Sequence, residues 1–281
     1  MTDAKALLPG FEERLADVKG VRLRYFVAGA GDPLLLVHGL GGAATNWTLL
    51  APELARRHRV LIPDLPGHGG SSALPAVPNM SVFADRIALL AEREQAVPAA
   101  VVGHSLGGVV ALRMALRYPV HVTRLILAAA AGISSTTRRA EYALRMVGLV
   151  QPGKLISPWR RYVARSPRLR ELAFGSWSVA DAAAFSPRAA AGFLAGPPLH
   201  TDTASAIGAL VRDDPRENLG ELECPCLILW GARDPQLPLS DAFDYARRLR
   251  SPLRAMADCG HLVIGESPEA CLDAIEGFLS A

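Results

Sequence analysis

The chain has 281 residues, half of them apolar and a fifth charged, with a formal net charge of +3. That length allows one large domain or two small ones with ample core, and the composition excludes disordered, collagen-like and short disulfide-scaffold chains. The charge is too small to mark a nucleic-acid binder, and no apolar run approaches the ~18 residues of a membrane span. The first residues carry no sustained apolar stretch, so a cytoplasmic protein is expected. Four cysteines, Cys224, Cys226, Cys259 and Cys271, fall in the last quarter without zinc or redox spacing and read as buried free thiols.

In chain order, short apolar runs alternate with helical stretches, the pattern of an α/β fold with a mostly parallel sheet. Strands are expected at Val21–Ala28, Leu34–Val37, Arg59–Ile62 and Ala99–Gly103. Between the last two, Ser81 reads as the cap of a helix with Phe83, Ile87, Leu90 and Ala91 on its apolar face. A helix from Leu106 to Tyr118 is stopped by Pro119, and Thr123–Ala129 returns to strand. From Gly132 to about Thr203 the rhythm breaks: the pattern is helical, punctuated by prolines, and reads as an inserted lid. Sheet rhythm resumes at Cys226–Gly231, followed by a helix near Ser240–Leu249, a strand at Leu253–Ala257 and a last helix from Pro268 to Leu279. The expected division is a core of 1–132 and 204–281 carrying a lid of 133–203.

The most informative residues are Gly103-His104-Ser105-Leu106-Gly107, a G-x-S-x-G pattern between a buried strand and a helix. A serine hydroxyl becomes a useful nucleophile when it is exposed, held rigidly and set beside a base, and a tight strand-to-helix turn meets the first two needs. The helix start also offers the Leu106 N–H to a developing oxyanion. His261, in the loop before the last helix, is the candidate base, and Asp234, directly after the strand ending at Trp230, is the candidate carboxylate. Both lie where α/β sheets carry their sites, and the order Ser105, Asp234, His261 is one of three known triad orders.

On these residues the chain resembles the lid-bearing serine hydrolases of the α/β-hydrolase fold. The likeness runs from about Val21 to Leu279 through His38-Gly39-Leu40-Gly41-Gly42, Asp64-Leu65-Pro66-Gly67-His68-Gly69, the Gly103–Gly108 turn, Gly231–Asp234 with Pro238, and Gly260-His261 with Glu266 and Pro268. It implies a mostly parallel eight-stranded sheet with helices on both faces, and makes Leu40 N–H the second oxyanion donor beside Leu106. The serine nucleophile, the absence of any cofactor motif and an apolar lid over the site point to a carboxylic ester of a small or medium apolar molecule as substrate. Carbon–carbon hydrolases of ring-cleavage products, lactonases, perhydrolases and acyltransferases share the triad, and some relatives are small-molecule receptors. The carbon–carbon members usually carry Trp after the histidine, where Leu262 stands here.

Other polar residues have plainer readings. His38 and His104 suit second-layer hydrogen bonding that holds the loop and the turn, His68 is similar, and Gly39, with Gly41 and Gly42, leaves the backbone free to approach the substrate. Asp64 is followed by Pro66-Gly67 and reads as part of a structural turn. Trp47 reads as packing against the core or the pocket rim. No phosphate loop and no His/Cys zinc spacing occur, so neither cofactor nor metal is expected, and the partner is a small, mainly apolar substrate; the sequence leaves the oligomeric state open.

Charge is uneven. Ser134–Glu171 holds nine basic residues, Arg138, Arg139, Arg145, Lys154, Arg160, Arg161, Arg165, Arg168 and Arg170, against Glu141 and Glu171, a balance of +7 that leaves −4 elsewhere. The plain reading coats solvated helix faces with these arginines while Leu144, Met146, Val147, Leu149, Leu155, Ile156 and Trp159 face the pocket. The sharper one is a field that steers an acidic substrate or meets an anionic surface.

Overall fold

The computed structural model describes residues 4–76, 79–136 and 152–281. Its strands are β1 (Glu12–Val18), β2 (Val21–Ala28), β3 (Pro33–Val37), β4 (Arg59–Pro63), β5 (Ala99–His104), β6 (Val122–Ala128), β7 (Cys226–Gly231) and β8 (Leu253–Met256). They form one sheet in the order β1-β2-β4-β3-β5-β6-β7-β8. β2 runs antiparallel to both β1 and β4, while β4 to β8 pair in parallel. The order reverses between β3 and β5, the switch point where open α/β sheets form ligand crevices.

Strand β1 escapes a reading by hydrophobic pattern. It is an edge strand of sequence EERLADV in which only Ala16 and Val18 are buried. Its charges suit an edge, where unpaired backbone invites pairing with other chains. The central strands behave as their apolar runs predict. Every residue of β5 and β7 is buried, because helices cover both faces of the sheet.

Besides single helical turns at Ala4–Leu7 and Ala51–Leu54, the α-helices among the described residues are α1 (Ser81–Arg93), α2 (Leu106–Arg117), α3 (Pro152–Ile156), α4 (Arg160–Arg165), α5 (Pro167–Ser178), α6 (Pro187–Ala195), α7 (Ala204–Leu210), α8 (Leu239–Leu249), α9 (Val263–Glu266) and α10 (Pro268–Leu279). Ser81 is the first helical residue of α1 rather than its cap; Met80 holds that position. Neighbouring strand residues point to opposite cores. Val101 belongs to the buried cluster that holds Ile87, Val110 and Tyr245, and Val102 to the one that holds Trp47, Leu229 and Ile275. Trp47 is fully buried, as are Cys226, Cys259 and Cys271, while Cys224 is half-buried; all four are free thiols. Among the described residues no helix is long and apolar enough to cross a membrane.

Between β6 and β7 the described regular structure is helical. Several prolines that punctuate the sequence there start helices instead of ending them. Pro167 and Pro187 follow Ser166 and Ser186, whose side chains accept from Leu169 N–H at 3.4 Å and Ala189 N–H at 3.1 Å. These helices bury a small cluster of their own, including Val163, Phe174, Phe185 and Leu194, and Leu262 of the core joins it.

Candidate active site

The Gly103–Gly107 turn joins β5 to α2, and Ser105 at its tip has φ 54° and ψ −118°. For a residue with a Cβ this conformation costs about 1–3 kcal/mol, and surrounding structure must hold it. Ser105 N–H donates to Ala128 O at 3.0 Å, and Ser105 O accepts from Gly108 and Ala131 N–H at 2.9 and 3.1 Å. The turn closes so tightly that a side chain at Gly103 would strike the Gly107 carbonyl.

His261, in the loop before α9, brings Nε2 to 3.0 Å from Ser105 Oγ. Its Nδ1 lies 2.8 Å from Asp234 Oδ2. The carboxylate only accepts, so Nδ1 carries the proton and the Nε2 lone pair faces the serine hydroxyl. Asp234 is held in turn: its Oδ1 accepts from Gln236 and Leu237 N–H at 2.8 and 2.9 Å. Its side chain is fully withdrawn from solvent and that of His261 nearly so. The three residues proposed from sequence therefore lie in one hydrogen-bonded chain.

Leu40 lines the cavity beside Gly39, and Leu106 opens α2, where a helix leaves its first N–H groups without an intrahelical partner. Gly39 packs so closely on the turn that a Cβ there would sit 3.0 Å from Ser105 Cβ. His38 donates from Nδ1 to Gly39 O at 2.8 Å and accepts from Leu65 N–H at Nε2, 2.9 Å. It joins the loop after β3 to the loop after β4. His104 donates from Nε2 to His261 O at 2.9 Å, fixing the backbone of the residue across from it. Burial lowers both imidazoles to about 3, so they stay neutral.

Asp64 is a structural anchor. Its carboxylate accepts from Arg24 Nε at 2.6 Å, Ala44 N–H at 2.7 Å and Gly70 N–H at 2.8 Å. His68 lies beside His38 with its rings 5.5 Å apart, donating from Nδ1 to Pro66 O at 3.0 Å.

Three residues without a role in the sequence reading belong to the site's frame. His200 donates from Nε2 to Gly41 O at 2.8 Å and accepts from Gly69 N–H at Nδ1, 2.9 Å. Ser178 O accepts from His261 N–H at 2.9 Å. Glu266, quoted in the sequence only as part of a motif, accepts three backbone N–H groups around His261. Such contacts join positions far apart in sequence or bind backbone atoms, and no local pattern announces them.

Ser105 and His261 open onto a cavity of about 520 Å³ whose walls are largely apolar, among them Leu40, Ile156, Phe174, Phe193, Leu210 and Leu262. Lys154 is the one Lys, Arg, Asp or Glu lining it among the described residues. Ile156 faces the cavity as expected, but Leu155 and Trp159 do not: they are 67% and 64% exposed. Helical periodicity cannot say which side of a short helix meets the core. Arg170 departs from both readings of the basic segment. It is buried, donating to Ala164, Ala182 and Ala183 carbonyls at 2.9, 3.4 and 3.1 Å. Arg138, Arg139, Glu141, Leu144, Arg145, Met146, Val147 and Leu149 lie outside the described residues.

The profile of the Alpha/beta hydrolase family matches residues 34–274. A curated 2-hydroxymuconate semialdehyde hydrolase from Pseudomonas sp. strain CF600 is 31% identical over 252 residues, spanning 86% of this chain and 84% of that protein. A 2-hydroxy-6-oxo-2,4-heptadienoate hydrolase from Pseudomonas putida is 27% identical over 274 residues, 95% of this chain and 96% of the relative. Among solved structures, a thermophilic esterase from Thermogutta terrifontis superposes with a TM-score of 0.74 at 26% identity, covering 96% of this chain and 98% of that one.

Proposed function

This chain belongs to the Alpha/beta hydrolase family, and from that premise we propose that it is a serine hydrolase cleaving a carboxylic ester of a small or medium apolar substrate through an acyl-enzyme. The observation that carries this reading is the chain Ser105 Oγ, His261 Nε2, His261 Nδ1, Asp234 Oδ2, with links of 3.0 and 2.8 Å at the wall of an apolar cavity. Ser105 attacks the ester carbonyl as His261 takes its proton at Nε2. Leu40 and Leu106 N–H stabilise the oxyanion, each worth about 3 kcal/mol of barrier. His261 then protonates the leaving alcohol, and the acyl-enzyme forms. Water, deprotonated by His261, releases the acid and restores Ser105. Asp234 keeps the proton on Nδ1 throughout and stabilises the imidazolium. Residues 133–203 serve as a lid in this reading: the described helices among them supply Phe174, Phe193 and Ile156 to the wall of the cavity that Ser105 also lines.

A second reading, hydrolysis of an unsaturated keto acid by the same residues, draws on the substrates in the names of the two Pseudomonas relatives and on Lys154, a cation suited to a substrate carboxylate. A fluorophosphonate probe and a substrate panel test both. The expected result is a covalent adduct on Ser105, absent in Ser105→Ala, with turnover of short acyl p-nitrophenyl esters. Turnover confined to keto acids would select the second reading. A folded wild-type protein with no adduct would overturn both and favour a receptor.

A further inference from the structure

The loop that carries His261 is short, and the backbone N–H groups of Gly260, His261 and Leu262 each have an acceptor. Gly260 N–H donates to Glu266 Oε2 at 2.9 Å, His261 N–H to Ser178 O at 2.9 Å, and Leu262 N–H to Glu266 Oε1 at 2.9 Å. Glu266 Oε2 also accepts from Ala180 N–H at 2.7 Å, just past the end of α5. One carboxylate thus grips the chain on both sides of the imidazole and ties it to the helical segment. Gly260 permits this, because a Cβ there would lie 2.6 Å from Ala180 N.

We propose that Glu266 is the positioning residue of His261: its carboxylate clamps the backbone either side of the ring and adds, after Asp234, a second negative charge near the imidazolium that forms during catalysis. The proposal rests on the reading of His261 as the general base. Both oxygens accept, Oε2 from Gly260 and Ala180 and Oε1 from Leu262, so an amide would lose an acceptor as well as the charge, whereas a shorter carboxylate would lose reach and keep the charge. Burial raises the Glu266 carboxyl above its ordinary value, an effect that its three N–H bonds and the neighbouring His261 offset only in part. Of the other ionisable groups around the ring, Asp234 holds Nδ1. His104 and Cys259 are kept neutral by burial, which lowers the imidazole to about 3 and raises the thiol to about 12. Glu266 and Asp234 are therefore the two carboxylates set about the His261 ring and its backbone.

The test compares the full-length wild type with Glu266→Gln and Glu266→Asp. Each is first shown by circular dichroism to be folded at the working temperature. The His261 ring is followed by carbon-13 NMR across pH, and Ser105 reactivity by the rate of fluorophosphonate labelling. Glu266→Gln keeps the length but removes the charge and one of the two acceptor oxygens, and Glu266→Asp, which keeps the charge, separates the two effects. In Glu266→Gln the His261 titration midpoint should move down by about half a pH unit or more, and labelling at neutral pH should slow by about tenfold. Glu266→Asp keeps the charge but is too short to reach all three N–H groups, so its midpoint should stay near the wild-type value while labelling slows. A wild-type midpoint in Glu266→Gln overturns the proposal whatever the labelling rate. A lowered midpoint in Glu266→Gln with no labelling of the wild type overturns the hydrolase reading and leaves the coupling between Glu266 and His261 standing.

Discussion

Arg24 Nε and Asp64 Oδ2 form an ion pair at 2.6 Å, with only 5% and 0% of their side chains exposed. A buried pair of this kind contributes little against an apolar substitute, yet loss of one partner strands the other charge. Asp64→Asn should therefore destabilise the protein by about 3–5 kcal/mol, read as a lower urea midpoint. Asp234→Asn should leave the midpoint within about 1 kcal/mol and cut turnover by roughly 10⁴-fold, because His261 loses its tautomer control. A fully active Asp234→Asn enzyme would remove Asp234 from the triad.

Ser105 sits at φ 54°, where glycine is at home and serine is strained. Ser105→Gly should abolish labelling and turnover while raising stability by about 1 kcal/mol, the relief of strain less the added freedom of the unfolded chain. A thermal unfolding series of wild type, Ser105→Ala and Ser105→Gly checks this. Alanine keeps the strain, so only glycine should gain.

Acid should unfold the protein early. Burial holds His38, His68 and His104 down to about 3 and His200 to about 4, against an ordinary value of 6.5. A depressed imidazole binds its proton in the unfolded chain first. Stability is therefore complete above about pH 6.5 and falls as pH drops through 6 to 4, by about 1.4 kcal/mol per pH unit for each histidine involved. The urea midpoint measured from pH 7 to 4 gives the slope. His200→Gln, whose side chain can still donate to Gly41 O and accept from Gly69 N–H, should flatten it by about one proton's worth.

Arg170 and its neighbours on the helical segment should part company. Arg170→Met removes the donor to three carbonyls and should cost about 3 kcal/mol, with faster hydrogen exchange in α4 and α5. Arg168→Gln, at an exposed position, should be neutral to stability within about 0.5 kcal/mol. Steering of an acidic substrate is a separate matter, settled by salt. If kcat/KM for an anionic ester falls no more with ionic strength than for its neutral analogue, the basic segment does not steer.

Ser105, Asp234 and His261 could be picked from the sequence because each follows a strand or sits in a glycine-marked loop. Their relative positions then follow from a sheet whose central strands are buried apolar runs. Strand β1 stayed hidden because Glu12, Glu13, Arg14 and Asp17 are charged, and an edge strand needs few apolar side chains. His200 stayed hidden because its partners, Gly41 and Gly69, are 159 and 131 positions away and use only backbone atoms. Arg170 looked like its neighbours until three carbonyls converged on it. Trp159 could not be oriented because a helix one or two turns long has no pattern that separates its faces.

The helical segment is fastened to the loops around Ser105 and His261 at several points along its length: Ser178 O and the Ala180 N–H at the His261 loop, Gly192 O at Thr45, His200 at Gly41. This limits how freely protein engineers can exchange it. A graft taken from a relative would bring new walls for a different substrate, but it would also have to present a carbonyl to His261 and an imidazole to Gly41 in the same register. Substrate range is more safely redrawn by replacing Phe174, Phe193 and Ile156 within the native segment than by transplanting the segment whole.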